Sequence, residues 1–383
     1  MTHLNAAPEP SRGLVVLVSN TSWYLYNFRR GTLCALRAAG FSVVALSPTD
    51  PSSQRLEDGL GVRHQPLNLD GKGTSVLGEG RSFVGLALTL RRMKPAFVFN
   101  FTVKANIYSG LACRALGIAY ANNVSGLGTA FLHDSWLFRQ VRALYGFANR
   151  GARRVFFQNQ EDHRLFHAHG LLKATPTTVL PGSGMDLTRF AFSPLPDGPL
   201  TFVMVARLLG DKGVREYASA AAQVRKAHPD VRCLLVGPLG ISNRTAITAD
   251  EVTAWVNAGQ LEYAGETDDI QPFIRQAHVL VLPSYREGMP RTVLEAAAMG
   301  RPAIVSDVPG CRHAIRADET GWLCEVRNAD SLAQHMLSAV IRPREQLAAA
   351  GVKARAFMEA EFDEAIVVRA YVSCLNAAGE PVL

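Results

Sequence analysis

The stretch HVLVLPSYREGMPRTVLEAAAMGRPAIVSD, residues 278–307, decides the fold. HVLVLPS (278–284) is an apolar, β-branched run and reads as a strand; AIVSD (303–307) reads as another. Between them TVLEAAAMG has helical character and stops at Gly300, the residue type that tolerates the left-handed end of a helix. Strand, helix and strand in succession imply a right-handed crossover between parallel strands. Continuous apolar runs, rather than alternating ones, suit strands covered on both faces.

The same pattern extends in both directions. LVVLVS (14–19), FSVVALS (41–47), AFVFNF (96–101), RRVFFQ (153–158), TFVMVA (201–206) and VRCLLVG (231–237) are further strand-like runs with helical patterns between them. At 383 residues the chain is too long for one ordinary core. VLPGSGMDLTRFAFSPLPDGP (179–199) is dense in Gly, Pro and Ser and marks a boundary. The expected fold is α/β, with two doubly wound Rossmann-like domains and a cleft between them. Residues 1–12 are expected as a disordered tail, 13–190 as an N-terminal domain and 191–362 as a C-terminal domain. Residues 363–383 are expected as a helix that crosses back onto the first domain. In such sheets ligands bind beyond the carboxyl ends of the strands.

Composition narrows the function. Apolar residues make up 48% and charged residues 19%, a globular balance. No apolar run reaches the ~18 residues of a membrane helix, and no signal-peptide core precedes the first strand, so a cytoplasmic location is expected. The six cysteines stand thirteen or more positions apart, without metal or redox spacing, and are expected as reduced, mostly packed thiols. The first strand lacks a G-x-G-x-x-G turn and the chain lacks a Walker A loop, which argues against nicotinamide and P-loop chemistry. Net charge is uneven. Residues 1–190 hold 21 Lys and Arg against 10 Asp and Glu; residues 191–383 hold 19 against 23. A basic half faces anions: a membrane surface or a phosphorylated substrate. No nucleic-acid recognition motif accompanies it, and its arginines are dispersed.

The quoted turn places Glu287 and Glu295 eight positions apart around Gly288-Met289-Pro290-Arg291. Pro290 belongs near the first helical position, where its missing N–H is harmless. The amides of Gly288 and Met289, and those from Arg291 through Thr292 to Leu294, form a candidate anion site. Glu295, one turn in, suits hydroxyls such as those of a ribose, because a carboxylate repels phosphate. ARLLGDKG (206–213) follows another strand directly and brings Arg207 and Lys212 to a strand end, where two cations suit a pyrophosphate. One anion site flanked by hydroxyl acceptors describes a nucleotide sugar. A capping glutamate and ordinary surface cations are the plainer alternative for each motif taken alone.

Taken together, Arg207…Lys212-Gly213, then AGETDDI, then Glu287, seven residues and Glu295 resemble glycosyltransferase family 4, the retaining GT-B enzymes. The similarity runs from about residue 14 to residue 375. The resemblance implies that Arg207 and Lys212 hold the donor's pyrophosphate and that Glu287 meets the transferred sugar. These three would be the catalytic residues. Glu295 would hold the ribose, Gly288, Met289, Arg291 and Thr292 would line the donor site, and Thr267 falls where the family's backbone meets uracil. A UDP-sugar is then a co-substrate, with no cofactor and no metal required. Donor phosphate taking the acceptor's proton in a front-face attack is the usual proposal for retention.

Three loops after strands, NTSWYLYNFRRG (20–31), NFTVKANIYSG (100–110) and NNVSGLGTAF (122–131), resemble those of bacterial enzymes that extend sugars on undecaprenyl diphosphate. Tyr24, Asn27, Arg29, Lys104, Asn106, Gly126 and Gly128 are the acceptor-side candidates. Many members carry a histidine near the loop that here reads Phe101-Thr102-Val103-Lys104; Lys104 is the candidate replacement. The expected partners are a UDP-sugar, a lipid-diphosphate-linked saccharide and the anionic cytoplasmic membrane surface, with DSWLFRQVRALYGFANRGARR (134–154) as a candidate interfacial helix. The alternatives are a non-catalytic scaffold of a polysaccharide assembly complex and a UDP-sugar epimerase on the same fold.

Overall fold

A computed structural model describes residues 12–69, 76–125, 136–241 and 243–376. Residues 1–11 of the expected tail, and Gly126 and Gly128, lie outside the described residues. The chain divides into two units, one formed by Met1–Gly184 with Glu364–Leu383 and the other by Met185–Asp363. Each is built on a parallel sheet, as an α/β doubly wound fold requires.

The first unit contains β1 (Leu14–Val18), β2 (Ser42–Ser47), β3 (Arg63–Pro66), β4 (Phe97–Phe101), β5 (Tyr120–Val124), β6 (Arg154–Phe157) and β7 (Thr177–Val179), in the order β3-β2-β1-β4-β5-β6-β7. Val15 pairs with Val43 on one side and Phe97 on the other. Alternate residues of the buried strands serve two cores. Val16, Val18 and Val98 face one, while Val15, Leu17, Phe97 and Phe99 face the other. Val367, Tyr371, Cys374 and Leu375 of the helix Glu364–Asn376 complete the second core.

The second unit contains β8 (Thr201–Val205), β9 (Arg232–Val236), β10 (Glu262–Tyr263), β11 (Val279–Leu282), β12 (Ala303–Ser306) and β13 (Gly321–Cys324), in the order β10-β9-β8-β11-β12-β13. The stretch at 278–307 is β11, the helix Arg291–Ala298 and β12. Each sheet reverses its order of addition once, between β1 and β4 and between β8 and β11. Loops after those strands diverge to opposite faces and leave room for a ligand. One loop assignment changes: Asn122 and Asn123, expected after a strand, lie within β5, fully buried. Five of the six cysteines are buried and free, and Cys34 is free and exposed.

Two buried polar residues organise the second unit. Arg301, at 0% exposure, donates to six carbonyls at 2.5–3.1 Å: those of Ile274, Ala277, Arg275, Met299, Ser193 and Pro194. Burial pulls its pKa down to about 10, leaving it charged at neutral pH. It ties the segment after the boundary to the end of the helix Gln271–Arg275 and to the approach to β12. Gly300 precedes it with φ 82°, where an added Cβ would come 2.5 Å from the Phe192 ring. Arg355 secures the same region by donating to Leu187, Phe190 and Ala298 carbonyls. His278 accepts from the Thr201 amide through Nδ1 and holds Nε2 2.9 Å from the Pro196 carbonyl, so its ring is neutral. Burial pushes its pKa from 6.5 down to about 4.

Arg301→Met leaves six carbonyls without their donor and is expected to destabilise the chain by ~3–5 kcal/mol in urea unfolding. The neutral His278 contributes stability that is whole above pH 6.5 and is lost as pH falls toward about 4, because the unfolded chain takes up that proton first. The melting temperature is therefore expected to fall across that window, and more shallowly in His278→Gln.

Candidate active site

The second unit gathers its chemistry at the β8/β11 reversal. The loop after β8 makes a single tight turn at Gly210–Lys212 and ends in Gly213, whose φ is 76°. A Cβ on Gly213 would fall 2.1 Å from the Pro283 carbonyl, so the loops after β8 and β11 pass in backbone contact. The Tyr285 amide donates to the Asp211 carbonyl at 2.9 Å and closes that junction. From the other side, a Cβ on Gly310 would meet the Glu287 carbonyl at 2.3 Å.

This frame fixes a small polar group. Lys212 Nζ lies 2.5 Å from Glu287 Oε1, and Ser284 Oγ donates to the same oxygen at 2.7 Å. The two charged side chains are 21% and 12% exposed, poorly screened but open to a ligand. Burial pushes the Cys311 thiol up, and the nearby Glu287 charge adds to that, so Cys311 is a neutral neighbour. Tyr285 donates to Glu216 Oε1 at 2.6 Å, with the Arg327 guanidinium over its ring at 4.6 Å. Burial and the Glu216 carboxylate raise the Tyr285 pKa to about 12. Glu216 Oε2 is buried without a hydrogen-bond partner among the described residues. Sequence reasoning singled out none of Ser284, Tyr285, Glu216 and Gly310. The position of Ser284 three residues before Glu287, at a strand end, was the available signal.

The other donor-side candidates differ in their surroundings. Pro290 caps the helix Arg291–Ala298, and its carbonyl accepts from the Val293 and Leu294 amides at 3.1 and 3.3 Å. Two of the amides expected to be free thus belong to the helix's own first turn. Glu295 is 8% exposed and accepts from Arg291 Nε at 2.9 Å. Its burial raises its pKa, and Arg291 and Arg189 oppose the rise. Gly288 is exposed, with open space where a side chain would begin. Met289 packs partly against the core, and Thr292 is half-buried. Thr267, after β10, is committed to its own turn, bonding the Asp269 amide and carbonyl. Arg207 is exposed and makes no ion pair among the described residues. Lys212 therefore meets Glu287, not a second cation.

In the first unit the loops after β1 and β4 carry the acceptor-side candidates. Thr21 caps the helix Ser22–Phe28 by accepting from the Tyr24 amide at 3.1 Å. Tyr24 and Asn27 are half-buried, with Asn27 Nδ2 donating to the Trp23 carbonyl. Arg29 was expected on an open loop, but it is 1% exposed. Its guanidinium sits 4.7 Å from the Phe101 ring centroid and 5.7 Å from that of Tyr371, and Nη2 donates to the Tyr24 hydroxyl at 2.8 Å. Nε and Nη1 have no partner among the described residues. Aromatic faces replace a carboxylate here. Lys104 is not an open cation: it pairs with Glu79 at 2.6 Å, and Tyr108 donates to the other Glu79 oxygen. Asn106 is a core residue that donates to the Asn123 carbonyl and sits against the Tyr145 hydroxyl. Thr102 was not singled out. It holds φ 75° at the start of the helix Val103–Leu116, with a buried hydroxyl that has no partner among the described residues. Such backbone strain in a threonine costs ~1–3 kcal/mol and concentrates at functional sites.

Among the described residues no cluster of His, Cys, Asp and Glu forms a metal site, and no helix is long and apolar enough to cross a membrane. Residues 187–356 match the family model for glycosyl transferases group 1, and residues 28–182 match that for the glycosyl transferase 4-like domain. Over 373 residues the chain is 26% identical to a Campylobacter jejuni N,N'-diacetylbacillosaminyl-diphospho-undecaprenol alpha-1,3-N-acetylgalactosaminyltransferase, covering 93% of this chain and 96% of the relative. It is also 26% identical to an Escherichia coli UDP-Gal:alpha-D-GlcNAc-diphosphoundecaprenol alpha-1,3-galactosyltransferase, over 67% of this chain and 69% of that one. In fold it matches a glycosyltransferase from Rickettsia africae with TM-score 0.78 at 16% identity, covering 97% and 100% of the two chains. It matches Anabaena HepE in complex with UDP-glucose with TM-score 0.76 at 17% identity, covering 95% and 100%.

Asn106→Ala removes partners of the Asn123 backbone and the Tyr145 hydroxyl. It is expected to lower stability by ~2–3 kcal/mol in denaturant unfolding, with the acceptor KM of the folded enzyme unchanged. A raised KM at full stability would instead return Asn106 to the binding surface.

Proposed function

From a chain that belongs to the GT-B glycosyltransferases, pairing a glycosyl transferase 4-like domain with a group 1 domain, we infer a specific reaction. It transfers a hexose or N-acetylhexosamine from a UDP-sugar, with retention of anomeric configuration, to a saccharide carried on undecaprenyl diphosphate. The observation that carries this reading is the Lys212–Glu287 pair at the β8/β11 reversal, with Glu295 one turn into the neighbouring helix. The acceptor assignment draws on relatives named for diphospho-undecaprenol substrates. The uridine assignment draws on the UDP-Gal relative and on HepE bound to UDP-glucose.

On this reading Lys212 and Glu287 stay paired until a donor arrives. The donor's diphosphate draws the Lys212 ammonium toward itself, with the unpaired Arg207 as second cation. Glu287, still held by Ser284, is then free to accept from hydroxyls of the transferred sugar. As the sugar–phosphate bond lengthens, negative charge grows on the departing UDP. A preplaced ammonium and guanidinium stabilise that charge more than they stabilise the ground state. The amides before the helix Arg291–Ala298 add the positive end of its dipole. Glu295 and Arg291 serve the ribose side. No metal has a role in this scheme.

Purified protein given a panel of UDP- and GDP-sugars, without added metal and with chelator, is expected to release UDP slowly from one donor. Lys212→Ala and Glu287→Gln are each expected to lower that release ~100-fold or more. Ser284→Ala, which leaves the ion pair in place, is expected to lower it less. Failure to release UDP, joined to failure to bind UDP in calorimetry, would leave a non-catalytic scaffold.

A further inference from the structure

Tyr285 stands two residues before Glu287 and reaches across the junction to both sides of Lys212. Its amide donates to the Asp211 carbonyl, one residue before the lysine, at 2.9 Å. Its hydroxyl donates to Oε1 of Glu216, four residues after the lysine, at 2.6 Å. Glu216 lies in the first turn of the helix Val214–Ala227, which begins two residues after Lys212. One residue of the loop that carries the carboxylate therefore brackets the lysine.

The exposure of the neighbours shows what the bracket is for. Arg286 and Gly288, on either side of Glu287, are exposed, and so is Asp211 on the β8 side. The close approaches at Gly213 and Gly310 fix where the loops cross, backbone against backbone, but give the two charged side chains no direction. Ser284 directs Glu287 by donating to Oε1. Tyr285 holds the turn that carries Lys212.

The tyrosine is itself held. Arg327, three residues after β13, lies with its guanidinium 4.6 Å from the ring centroid. Its φ of 57° falls in the left-handed region that few non-glycine residues occupy. Oε2 of Glu216 is buried with no partner among the described residues, so the Tyr285 hydroxyl is the donor that this carboxylate has. A carboxylate served by one donor and partly withdrawn from water resists any shift that would lose it. With its pKa raised to about 12, the hydroxyl keeps its proton near neutral pH, which suits placement and not proton transfer.

We propose that Tyr285, acting through Glu216 and the Asp211 carbonyl, is a positioning residue that holds Lys212 in register with Glu287. Its part in transfer rests on the donor reading above; its effect on the ion pair can be read without any donor.

The reactivity of Lys212 supplies that readout. The full chain is acetylated with a limiting amine reagent, well below the melting temperature of every variant. Peptide mass spectrometry then compares Lys212 with Lys226, an exposed lysine of the helix Val214–Ala227. Tyr285→Phe removes the hydroxyl and leaves the ring to Arg327. It is expected to raise Lys212 labelling ~3-fold or more, toward the level in Glu287→Gln. Tyr285→Phe also leaves Glu216 without its donor and costs stability, whereas Tyr285→Phe/Glu216→Leu removes both partners and is expected to recover the melting temperature. The double variant is expected to keep the raised labelling. With a UDP-sugar that the parent turns over, both variants are expected to lower kcat ~10-fold with KM little changed. Glu216→Gln, which still accepts from the hydroxyl, is expected to keep most of the rate. Unaltered labelling in Tyr285→Phe, labelling that returns to the parent level in the double variant, or undiminished kcat in both would overturn the proposal. The two readings fail separately. Raised labelling in variants of a protein that releases UDP from no donor keeps the placement and sinks the donor reading. Unaltered labelling beside UDP release that depends on Lys212 and Glu287 sinks the placement and keeps the donor reading.

Discussion

At the carboxyl edge of the second sheet, backbone lies against backbone. Gly213 touches the Pro283 carbonyl, Gly310 touches that of Glu287, and a Cβ on Gly237 would fall 1.8 Å from the Ala206 carbonyl. No side chain fits at any of these crossings, so the loops after β8, β9, β11 and β12 are held in register by the absence of one. That constraint brings Lys212 to Glu287 across 75 positions of chain. Without it each residue would be an ordinary surface charge, and their separation would vary with every fluctuation of two loops.

Buried arginines show two ways of keeping a charge out of water. Arg301 is surrounded by carbonyls from three segments, a hydrogen-bonded solution whose job is architectural. Arg29 has one hydroxyl and three aromatic faces, with two nitrogens left over among the described residues. The first arrangement fits a group whose valence is filled by its own chain. The second joins Tyr24, in the helix after β1, and Phe101, at the end of β4, to Tyr371 of the C-terminal helix. It makes the geometry of the β1 loop depend on a helix 340 positions away.

The eight apolar runs read from the sequence are strands, because a strand buried on both faces must be continuously hydrophobic. Several strands outside those runs break this rule. β3 is Arg-His-Gln-Pro at a sheet edge, and β5 carries Asn122 and Asn123. β5 survives in the interior because Asn100 donates to Asn122, and Asn122 to Asn149, at 2.9 and 2.8 Å. That ladder spans three elements, and no local pattern announces it. The site divides the same way. That Glu287 and Lys212 stand at neighbouring strand ends was legible because each follows a strand within a few residues; that they pair with each other was not. The partners of Lys104 and Asn106, the burial of Arg29 and the strain at Thr102 were not, since each depends on what the fold lays beside that residue.

The β8/β11 reversal carries little surplus charge where Lys212 stands, because Glu287 already neutralises it. A bare ammonium would hold any phosphate in the cell. This one must first give up a short, half-buried ion pair, and a bare anion leaves Glu287 with only its Ser284 hydrogen bond when it does. Only a ligand that offers an anion to the lysine and hydroxyls to the glutamate satisfies both at once. On the proposed donor reading, the pair would act as a filter that favours phosphate joined to sugar over free phosphate.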